Sequence, residues 1–189
     1  MENSEPYNSQ IDLTLPINDH YHLRQTIPDD AEETFVMVDT NRAYLRQWMP
    51  WVDSVQSAND IREHLESVLQ DPDNSPELVL VFQDKIIGRL GFHQIDTRNS
   101  SSSIGYWLDA GHQGQGLMSM AVEAVMDYAF GTLDLNRMVI RAAVENKASR
   151  AIPERLGFQQ EGIAREAEWL YDHYVDLVVY SLLSEEYLS

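Results

Sequence analysis

A strand, a glycine-rich turn and a strongly apolar helix follow one another in the middle of this sequence, and this succession constrains the fold more than any other feature. The strand is predicted over residues 104–108, and the turn, residues 111–118, has the sequence GHQGQGLM. Apolar residues then recur at the spacing of one helix face. They are Leu117, Met120, Ala121, Ala124, Val125, Tyr128 and Ala129. This order favours an α/β domain.

The rest of the sequence predicts about seven strands and four helices in that one domain. The other strands are predicted over residues 22–25, 78–83, 86–94, 138–144, 162–169 and 175–182. The other helices are predicted from a cap at Asp29 or Asp30 to Trp48, over residues 61–69, and over residues 149–156. We expect a polar tail over residues 1–10, a single domain over 11–189, a loop over 70–76 and a hairpin turn over 99–103.

The composition excludes several classes of protein. Hydrophobic residues make up 43% and charged residues 23% of the 189 residues, a balance that excludes a collagen-like, coiled-coil or mainly disordered chain. The absence of cysteine excludes disulfides, thiolate metal sites and cysteine nucleophiles. No apolar run approaches the roughly 20 residues that span a bilayer, and the N-terminus lacks the basic and apolar regions of a signal peptide. We therefore expect a soluble, cytoplasmic protein.

The net charge is −18, from 13 Lys and Arg against 31 Asp and Glu, and it argues against two classes of partner. Nucleic acids and anionic membranes are bound through clustered basic residues, so neither is expected to bind an acidic surface. Cationic partners such as amines or basic proteins would be attracted. Solubility alone also explains the acidity, so the charge does not name a substrate.

The glycine-rich turn is a candidate anion site. Gly114 and Gly116 permit a positive φ and a close approach to the backbone, and the following helix would direct free N–H groups and its positive dipole end at the turn. A turn that only links a strand to a helix explains the same glycines. Neither common nucleotide motif fits, because no lysine follows the glycines and Ser119 stands where a dinucleotide-binding loop has its third glycine.

Residues 137–155 form a basic segment in an otherwise acidic chain. Five basic side chains stand there against two acidic ones: Arg137, Arg141, Lys147, Arg150 and Arg155. Positive charge beside a backbone anion site suits a ligand with several phosphates. Ordinary surface salt bridges are the alternative. The histidines do not suggest a metal site, since no third ligand is visible near His20 and His22.

Three ordered blocks of sequence resemble the GNAT N-acetyltransferase superfamily. They are residues 104–118 (IGYWLDAGHQGQGLM), 135–141 (LNRMVIR) and 146–158 (NKASRAIPERLGF). Within the superfamily the chain resembles the RimJ/RimL-type branch, whose founding members acetylate the N-termini of ribosomal proteins. Residues 45–51 (LRQWMPW) and 162–168 (GIAREAE) fit this branch too. The resemblance covers most of residues 22–183, and it implies a mixed, mostly antiparallel sheet flanked by helices.

The resemblance also implies a site for acetyl-CoA. The family's pyrophosphate motif, Q/R-x-x-G-x-G/A, falls on Gln113, Gly114, Gln115, Gly116, Leu117 and Met118, where Met118 replaces the final small residue. The strand before it, around Trp107 and Leu108, would pair with the pantetheine arm. Asn146 and Ser149 match positions beside the sulfur, where the Ser149 hydroxyl could protonate the leaving thiolate. Glu168 matches a carboxylate that is proposed as the general base in some members.

Each of these catalytic side chains has a plainer interpretation that the sequence leaves open. Ser149 stands where a helix N-cap is wanted, and Asn146 where a turn residue is common. Glu168 lies in an alternating, strand-like run that would place it in solvent. Trp48 and Trp51 are either core residues or a wall of the acceptor site.

We therefore predict an acetyl-CoA-dependent N-acetyltransferase without a metal, whose acceptor is a primary amine and in the first place a protein N-terminus. A small amine such as a polyamine, an amino acid analogue or an aminoglycoside is the alternative acceptor. A non-catalytic acyl-CoA-binding module is the alternative to an enzyme. The expected partners are acetyl-CoA and the amine, without nucleic acid or membrane, and a homo-oligomer is left open.

Overall fold

The computed structural model describes residues 13–70 and 75–188, and this part of the chain contains eight strands in one sheet. The strands are β1 Thr14–Pro16, β2 Tyr21–Gln25, β3 Glu77–Phe82, β4 Lys85–Phe92, β5 Ser101–Leu108, β6 Arg137–Ala143, β7 Gln159–Leu170 and β8 His173–Leu183. Their order across the sheet is β1-β2-β3-β4-β5-β6-β8-β7. Neighbours run antiparallel except β5 and β6, which are parallel. The predicted α/β class with a mostly antiparallel sheet is confirmed.

Five α-helices accompany the sheet in the described residues. They are α1 Ala31–Leu45, α2 Ala58–Gln70, α3 Leu117–Gly131, α4 Lys147–Arg155 and the short α5 Ser184–Tyr187. The predicted side-chain cap of α1 is wrong. Asp30 precedes the helix but makes no cap hydrogen bond. Its carboxylate instead accepts two hydrogen bonds from the Arg24 guanidinium, at 2.7 and 2.8 Å, because this aspartate is buried and needs a charged partner.

Helix α3 packs against the sheet and forms the main core with it. Ala121, Val122, Val125 and Ala129 have no exposed surface, and they pack with the inward side chains of the central strands. The apolar stripe of the sequence is therefore confirmed as the buried face of a helix. This burial also fixes where the helix begins, and thus where the glycine-rich turn stands.

The two parallel strands separate half-way along their length, and this separation positions the site. The last paired residues are Ile104 and Ile140. Beyond them, within the described residues, β5 pairs with β4 as far as Leu108, and β6 pairs with β8 as far as Ala143. A wedge opens between the strands toward their carboxyl ends. The turn into α3 leaves one side of it, and the turn into α4 leaves the other.

The structure differs from the predicted elements at several edges. The strand β1 was missed, because three residues paired only with β2 carry too short a pattern to recognise. The turn predicted over 99–103 is wrong in part, since Ser101 already bridges Asp96 and begins β5. The helix predicted to reach Trp48 ends at Leu45. The tail predicted over residues 1–10 lies outside the described residues, as do positions 71–74 of the predicted loop.

Candidate functional site

The glycine-rich turn joins β5 to α3 and has the geometry of an anion site. Gly114 and Gly116 have φ values of 74° and 78°, in the left-handed region that glycine adopts without strain. Within the described part of the chain, a Cβ built on either glycine would meet no heavy atom within 4 Å. No side chain caps α3 at Gly116, so the N–H groups of its first turn are available to an anion. The turn therefore fits a pyrophosphate group.

Helix α1 holds this turn in place through a buried asparagine. The Nδ2 of Asn41 donates to Oδ1 of Asp109 at 2.7 Å, and the Oδ1 of Asn41 accepts from the backbone N–H of Ala110 at 3.0 Å. Burial alone would raise the pKa of Asp109, but hydrogen bonds from Asn41 and His112 lower it below its usual value. The sequence analysis missed Asn41 because no local pattern links it to a turn 68 residues later.

The predicted pantetheine residues, Trp107 and Leu108, lie on β5 beyond the point where it leaves β6. The Leu108 carbonyl accepts hydrogen bonds from the Tyr44 hydroxyl and from the Gln113 side-chain amide. The Gln113 side chain thus braces the strand end. The Leu108 side chain is buried in the core, whereas the Trp107 ring lies 6.1 Å from the ring of Trp51. The edge of β5 that faces the wedge could pair with an extended arm as an added strand does.

Helix α4 begins on the other side of the wedge with an asparagine cap. The side chain of Asn146 accepts a hydrogen bond from the backbone N–H of Ser149 at 3.1 Å. Asn146 is therefore the N-cap, and the interpretation of Ser149 as the capping residue is wrong. The Ser149 hydroxyl lies in the first turn of the helix and is not used to cap it.

A half-buried tyrosine of β5 contacts the Ser149 hydroxyl across the wedge. The Tyr106 hydroxyl donates to the carbonyl of Ser149 at 3.1 Å, and the Ser149 Oγ lies 3.4 Å from the same phenol oxygen. Burial raises the pKa of Tyr106 to about 12, so the phenol stays neutral near pH 7. The phenol proton is committed to the carbonyl, which leaves the phenol oxygen to accept from the Ser149 hydroxyl. The sequence analysis did not assign a role to Tyr106.

Glu168 lies on β7 where the strand is distorted. The register between β7 and β8 shifts between Ala164 and Glu168, and such bulges redirect side chains. The carboxyl group is half-buried. Burial raises the pKa of Glu168 above its ordinary value, and the nearby Arg141 opposes this shift. A carboxylate with a raised pKa is a stronger base, so the half-buried Glu168 stays a candidate proton acceptor.

A cavity of about 1080 Å³ brings part of the predicted site together. Trp107, Asn146, Ser149 and Glu168 all line it. The remaining predicted residues do not line the cavity. They lie at the end of β5 and in the glycine-rich turn: Leu108, Gln113, Gly114, Gln115, Gly116, Leu117 and Met118. The structure thus places a turn whose geometry fits an anion and a lined cavity at two parts of one wedge. A phosphate-bearing ligand held at the turn could extend its other end toward Ser149.

The segment after α1 forms one wall of the cavity. Trp48 and Trp51 line it together with Met49 and Pro50, so they are wall residues in this structure. The Tyr171 hydroxyl donates to the Met49 carbonyl at 2.6 Å. Tyr171 lies in the turn of the β7–β8 hairpin, and Glu168 lies near the end of β7 in the same hairpin. The hydrogen bond therefore joins the wall to the hairpin that carries Glu168.

The basic segment over residues 137–155 is directed only in part at the glycine-rich turn. Arg137 forms an ion pair with Glu161 at 2.6 Å, and Arg150 donates to the Tyr180 hydroxyl at 3.0 Å. The alternative of ordinary surface contacts accounts for these two. Arg155 does reach the turn, since its Nη1 lies 2.5 Å from Oγ of Ser119 in the first turn of α3.

Among residues 13–70 and 75–188, no group of three or more His, Asp or Glu side chains is placed to hold a metal ion. In the same residues, no helix has the length and apolar character needed to cross a bilayer.

Comparison with known proteins gives consistent similarities. The family model described as Acetyltransferase (GNAT) domain matches residues 20–159. The chain is 36% identical to the putative ribosomal N-acetyltransferase YdaF of Bacillus subtilis, over 93% of this chain and 97% of that protein. It is 31% identical to the ribosomal-protein-serine acetyltransferase of Escherichia coli, over 89% and 95%. The solved structure of RimL, a ribosomal L7/L12 α-N-protein acetyltransferase in complex with coenzyme A, superposes with a TM-score of 0.86 at 31% identity, covering 92% of this chain and 99% of that one.

Proposed function

Since the chain belongs to the GNAT acetyltransferase family and is an N-acetyltransferase that uses acetyl-CoA, we propose that its acceptor is the α-amino group of a protein N-terminus of the kind that ribosomal proteins present. Two relatives that match almost the whole chain are named for ribosomal acceptors. Ribosomal proteins are made and assembled in the cytoplasm, so we also propose that the enzyme acts there. Nucleic acid is not proposed as a partner, because the net charge is −18.

The size of the cavity is the observation that carries this proposal. Its volume of about 1080 Å³ lies just above the range of about 300–1,000 Å³ for pockets of drug-sized ligands, which leaves room for an extended segment beside the thioester end of acetyl-CoA. It is lined both by the candidate catalytic side chains and by the Trp48–Trp51 wall. An extended N-terminal segment could enter such a cavity with its amine foremost.

The charges that line the cavity also suit an amine. Four carboxylates, of Asp60, Glu77, Asp96 and Glu168, stand against the two guanidinium groups of Arg89 and Arg141. A net negative lining attracts a protonated α-amine before it is deprotonated for reaction. The same charge balance would attract a polyamine, which stays the second candidate acceptor.

Glu168 is assigned as the group that removes the amine proton, directly or through a water. An α-amino group has a pKa near 8, so its deprotonation at pH 7 costs only about 1 kcal/mol, whereas a lysine side chain costs about 4–5 kcal/mol. A half-buried carboxylate with a moderately raised pKa is adequate for the first task. The candidate base therefore favours an N-terminus over a lysine or a polyamine.

Acetyl-CoA supplies an acetyl group that is activated as a thioester. The main-chain N–H groups at Gly114, Gly116 and the first turn of α3 are assigned to its pyrophosphate. The Ser149 hydroxyl, which lies beside the Tyr106 phenol at the start of α4, is assigned to turn its one proton from the phenol oxygen to the sulfur when acetyl-CoA is bound. Asn146 fixes the first turn of that helix, and so it positions Ser149.

Thiol release from acetyl-CoA by the purified full chain tests the proposal. The acceptors are short peptides with a free N-terminal Ser or Ala, the same peptides with a blocked N-terminus and one internal lysine, and spermidine. We expect release with the free peptides and a mass increase of one acetyl group at the α-amine.

Two outcomes would overturn the assignment of the acceptor. Release with spermidine but with no free peptide would transfer it to the second candidate. Equal release with free and blocked peptides would show that lysine is the acceptor. Both outcomes leave the family membership of the chain intact.

A further inference from the structure

A second group of charged side chains lines the cavity on the wall formed by α2, β3 and β4. Glu77 lies at its centre. One carboxylate oxygen of Glu77 lies 3.0 Å from Nε2 of His64, and the other accepts a hydrogen bond from the guanidinium of Arg89. His64, Glu77 and Arg89 all line the cavity. This cluster has no part in the acetyl-transfer assignments above.

The guanidinium of Arg89 is buried but makes few hydrogen bonds. Its side chain is 12% exposed, and burial lowers the pKa of Arg89 although Glu77 opposes this shift. A guanidinium has five N–H donors. Among the described residues, the guanidinium hydrogen-bonds to the Glu77 carboxylate alone. Because Arg89 lines the cavity, the remaining N–H groups of its guanidinium could donate to an oxygen atom of a bound ligand.

The register of the sheet places Arg89 within reach of an acceptor peptide. Arg89 on β4 is paired with Trp107 on β5, and Trp107 also lines the cavity. Arg141, which acts on the charge of Glu168, stands on β6, the strand after β5. Arg141 lies just beyond Ile140, the last residue of β6 that pairs with β5, so two strand spacings, about 10 Å, are the lower limit of the distance that separates it from Arg89. An extended peptide advances about 3.3 Å per residue, so an amine near Glu168 places the carbonyls of the second and third residues near Arg89.

We propose that Arg89 determines acceptor specificity by donating hydrogen bonds to main-chain carbonyl groups of the acceptor peptide. This inference rests on the proposed function. A polyamine has no carbonyl oxygen to accept from the guanidinium, and the ion pair with Glu77 leaves no net negative charge there to hold its second ammonium group. The pair with Glu77 leaves the wall close to neutral, which suits a neutral carbonyl better than an acidic side chain. Arg89 thus selects peptides over polyamines in a cavity whose overall charge attracts both.

Three variants test the proposal in the full-length protein. Arg89→Met removes the donors, but it leaves the Glu77 carboxylate in the wall with His64. The double variant Glu77→Gln with Arg89→Met removes both charges, and it keeps the test valid if the single variant does not fold. Arg62→Met is the matched control, since Arg62 lies on α2 outside the cavity lining and pairs with Asp29 at 3.6 Å.

The measurement is kcat/KM for a free N-terminal Ser-Ala tetrapeptide amide and for spermidine, with thermal unfolding to verify folding. For the peptide we expect Arg89→Met to lower kcat/KM about 10- to 100-fold, mainly through KM, as the loss of hydrogen bonds from a charged donor does. For spermidine we expect kcat/KM to rise, because the lone Glu77 carboxylate can pair with an ammonium. In the double variant, kcat/KM for the peptide should fall as in the single variant, whereas kcat/KM for spermidine should not rise.

Unchanged peptide kinetics in both Arg89 variants, with an active wild type, would overturn the inference and leave the proposed function standing. A loss confined to peptides with an acidic second or third residue would also overturn it, since it would assign Arg89 to a side chain. A wild type that acetylates no peptide would overturn the proposed function, and this inference with it.

Discussion

The hydroxyl of Tyr106 donates to the main-chain carbonyl of Ser149, with 3.1 Å between the two oxygens. This hydrogen bond joins the free end of β5 to the first turn of α4, across the wedge where β5 and β6 have separated. The Oγ of Ser149 lies 3.4 Å from the same phenol oxygen. One half-buried tyrosine therefore sets both the position of the helix start and the direction of the serine hydroxyl.

Tyr106→Phe is expected to lower kcat about 3- to 10-fold, while the KM for acetyl-CoA stays close to the wild-type value. The ring of phenylalanine keeps the packing, but the Ser149 hydroxyl loses its partner and takes up other rotamers. Steady-state kinetics with a free N-terminal peptide measure the effect. If Tyr106 acts through Ser149, the double variant with Ser149→Ala should lose no more than Ser149→Ala alone.

The control for this variant is Tyr180→Phe. Tyr180 is a buried tyrosine, but its hydroxyl bonds with Arg150 and Glu154 and not with Ser149. It should change thermal stability more than kcat. Fully additive losses in the Tyr106 and Ser149 double variant would show that the tyrosine acts independently of the serine.

Alanine variants of Ser149 and Asn146 are expected to differ: one should lower the rate of catalysis, and the other should lower the stability of α4. Asn146→Ala removes the N-cap of α4, so it should cost about 1 kcal/mol of unfolding free energy. Ser149→Ala leaves the cap in place, so thermal or denaturant unfolding should change little while kcat falls. A stability loss in Ser149→Ala that matches the loss in Asn146→Ala, without any change in kcat, would return Ser149 to a structural role.

The parts of the fold that follow from one local pattern could be predicted. The apolar stripe from Leu117 to Ala129 identified the helix that fills the core, and Gly114 and Gly116 identified the turn with positive φ. The assignment of Ser149 as the cap failed because residues near a helix start compete for that role. Asn146, three residues earlier, has the side-chain oxygen that reaches the N–H group of Ser149.

The contacts between distant parts of the chain could not be predicted. Asn41 supports the turn at Asp109 from a separate helix, and Tyr106 meets Ser149 across two strands that have parted. Such contacts depend on how helices and strands pack, and packing leaves no periodic signal in a single sequence. The bulge before Glu168 could not be predicted either. It redirects the Glu168 side chain, so the carboxyl group is half-buried and not fully solvated.

Glu168 is expected to control the acidic limb of the pH–rate profile. Burial raises the pKa of Glu168, with Arg141 opposing the shift, and a base stops working when pH falls through its own pKa. Glu168→Gln should lower kcat/KM and remove the limb that belongs to this group. Deprotonation of the acceptor amine gives a separate limb at about pH 8, and that limb should persist. Arg141→Met should move the Glu168 limb to higher pH.

The same raised pKa predicts the direction of a stability change. A glutamate whose folded-state pKa lies above its unfolded value is destabilised in its ionised form, so its contribution to stability worsens as pH rises past the unfolded pKa. Glu168→Gln should therefore unfold at a slightly higher temperature than the wild type at pH 7, with a smaller difference at pH 4. A variant with the wild-type pH–rate profile would remove Glu168 as the base.

Gly116 is expected to decide the affinity for acetyl-CoA. Its φ of 78° lies in the left-handed region, so Gly116→Ala should cost about 1 kcal/mol of stability through backbone strain and weaken binding modestly. Gly116→Glu adds a carboxylate beside the N–H groups that are assigned to the pyrophosphate, so it should weaken binding more than about 10-fold through charge repulsion. Titration calorimetry with coenzyme A measures both effects. Gly131→Ala is the matched control, because Gly131 lies at the far end of α3 and its added Cβ would also stand in open space. If Gly116→Glu bound coenzyme A as tightly as Gly131→Ala, the pyrophosphate site would have to lie elsewhere on the wedge.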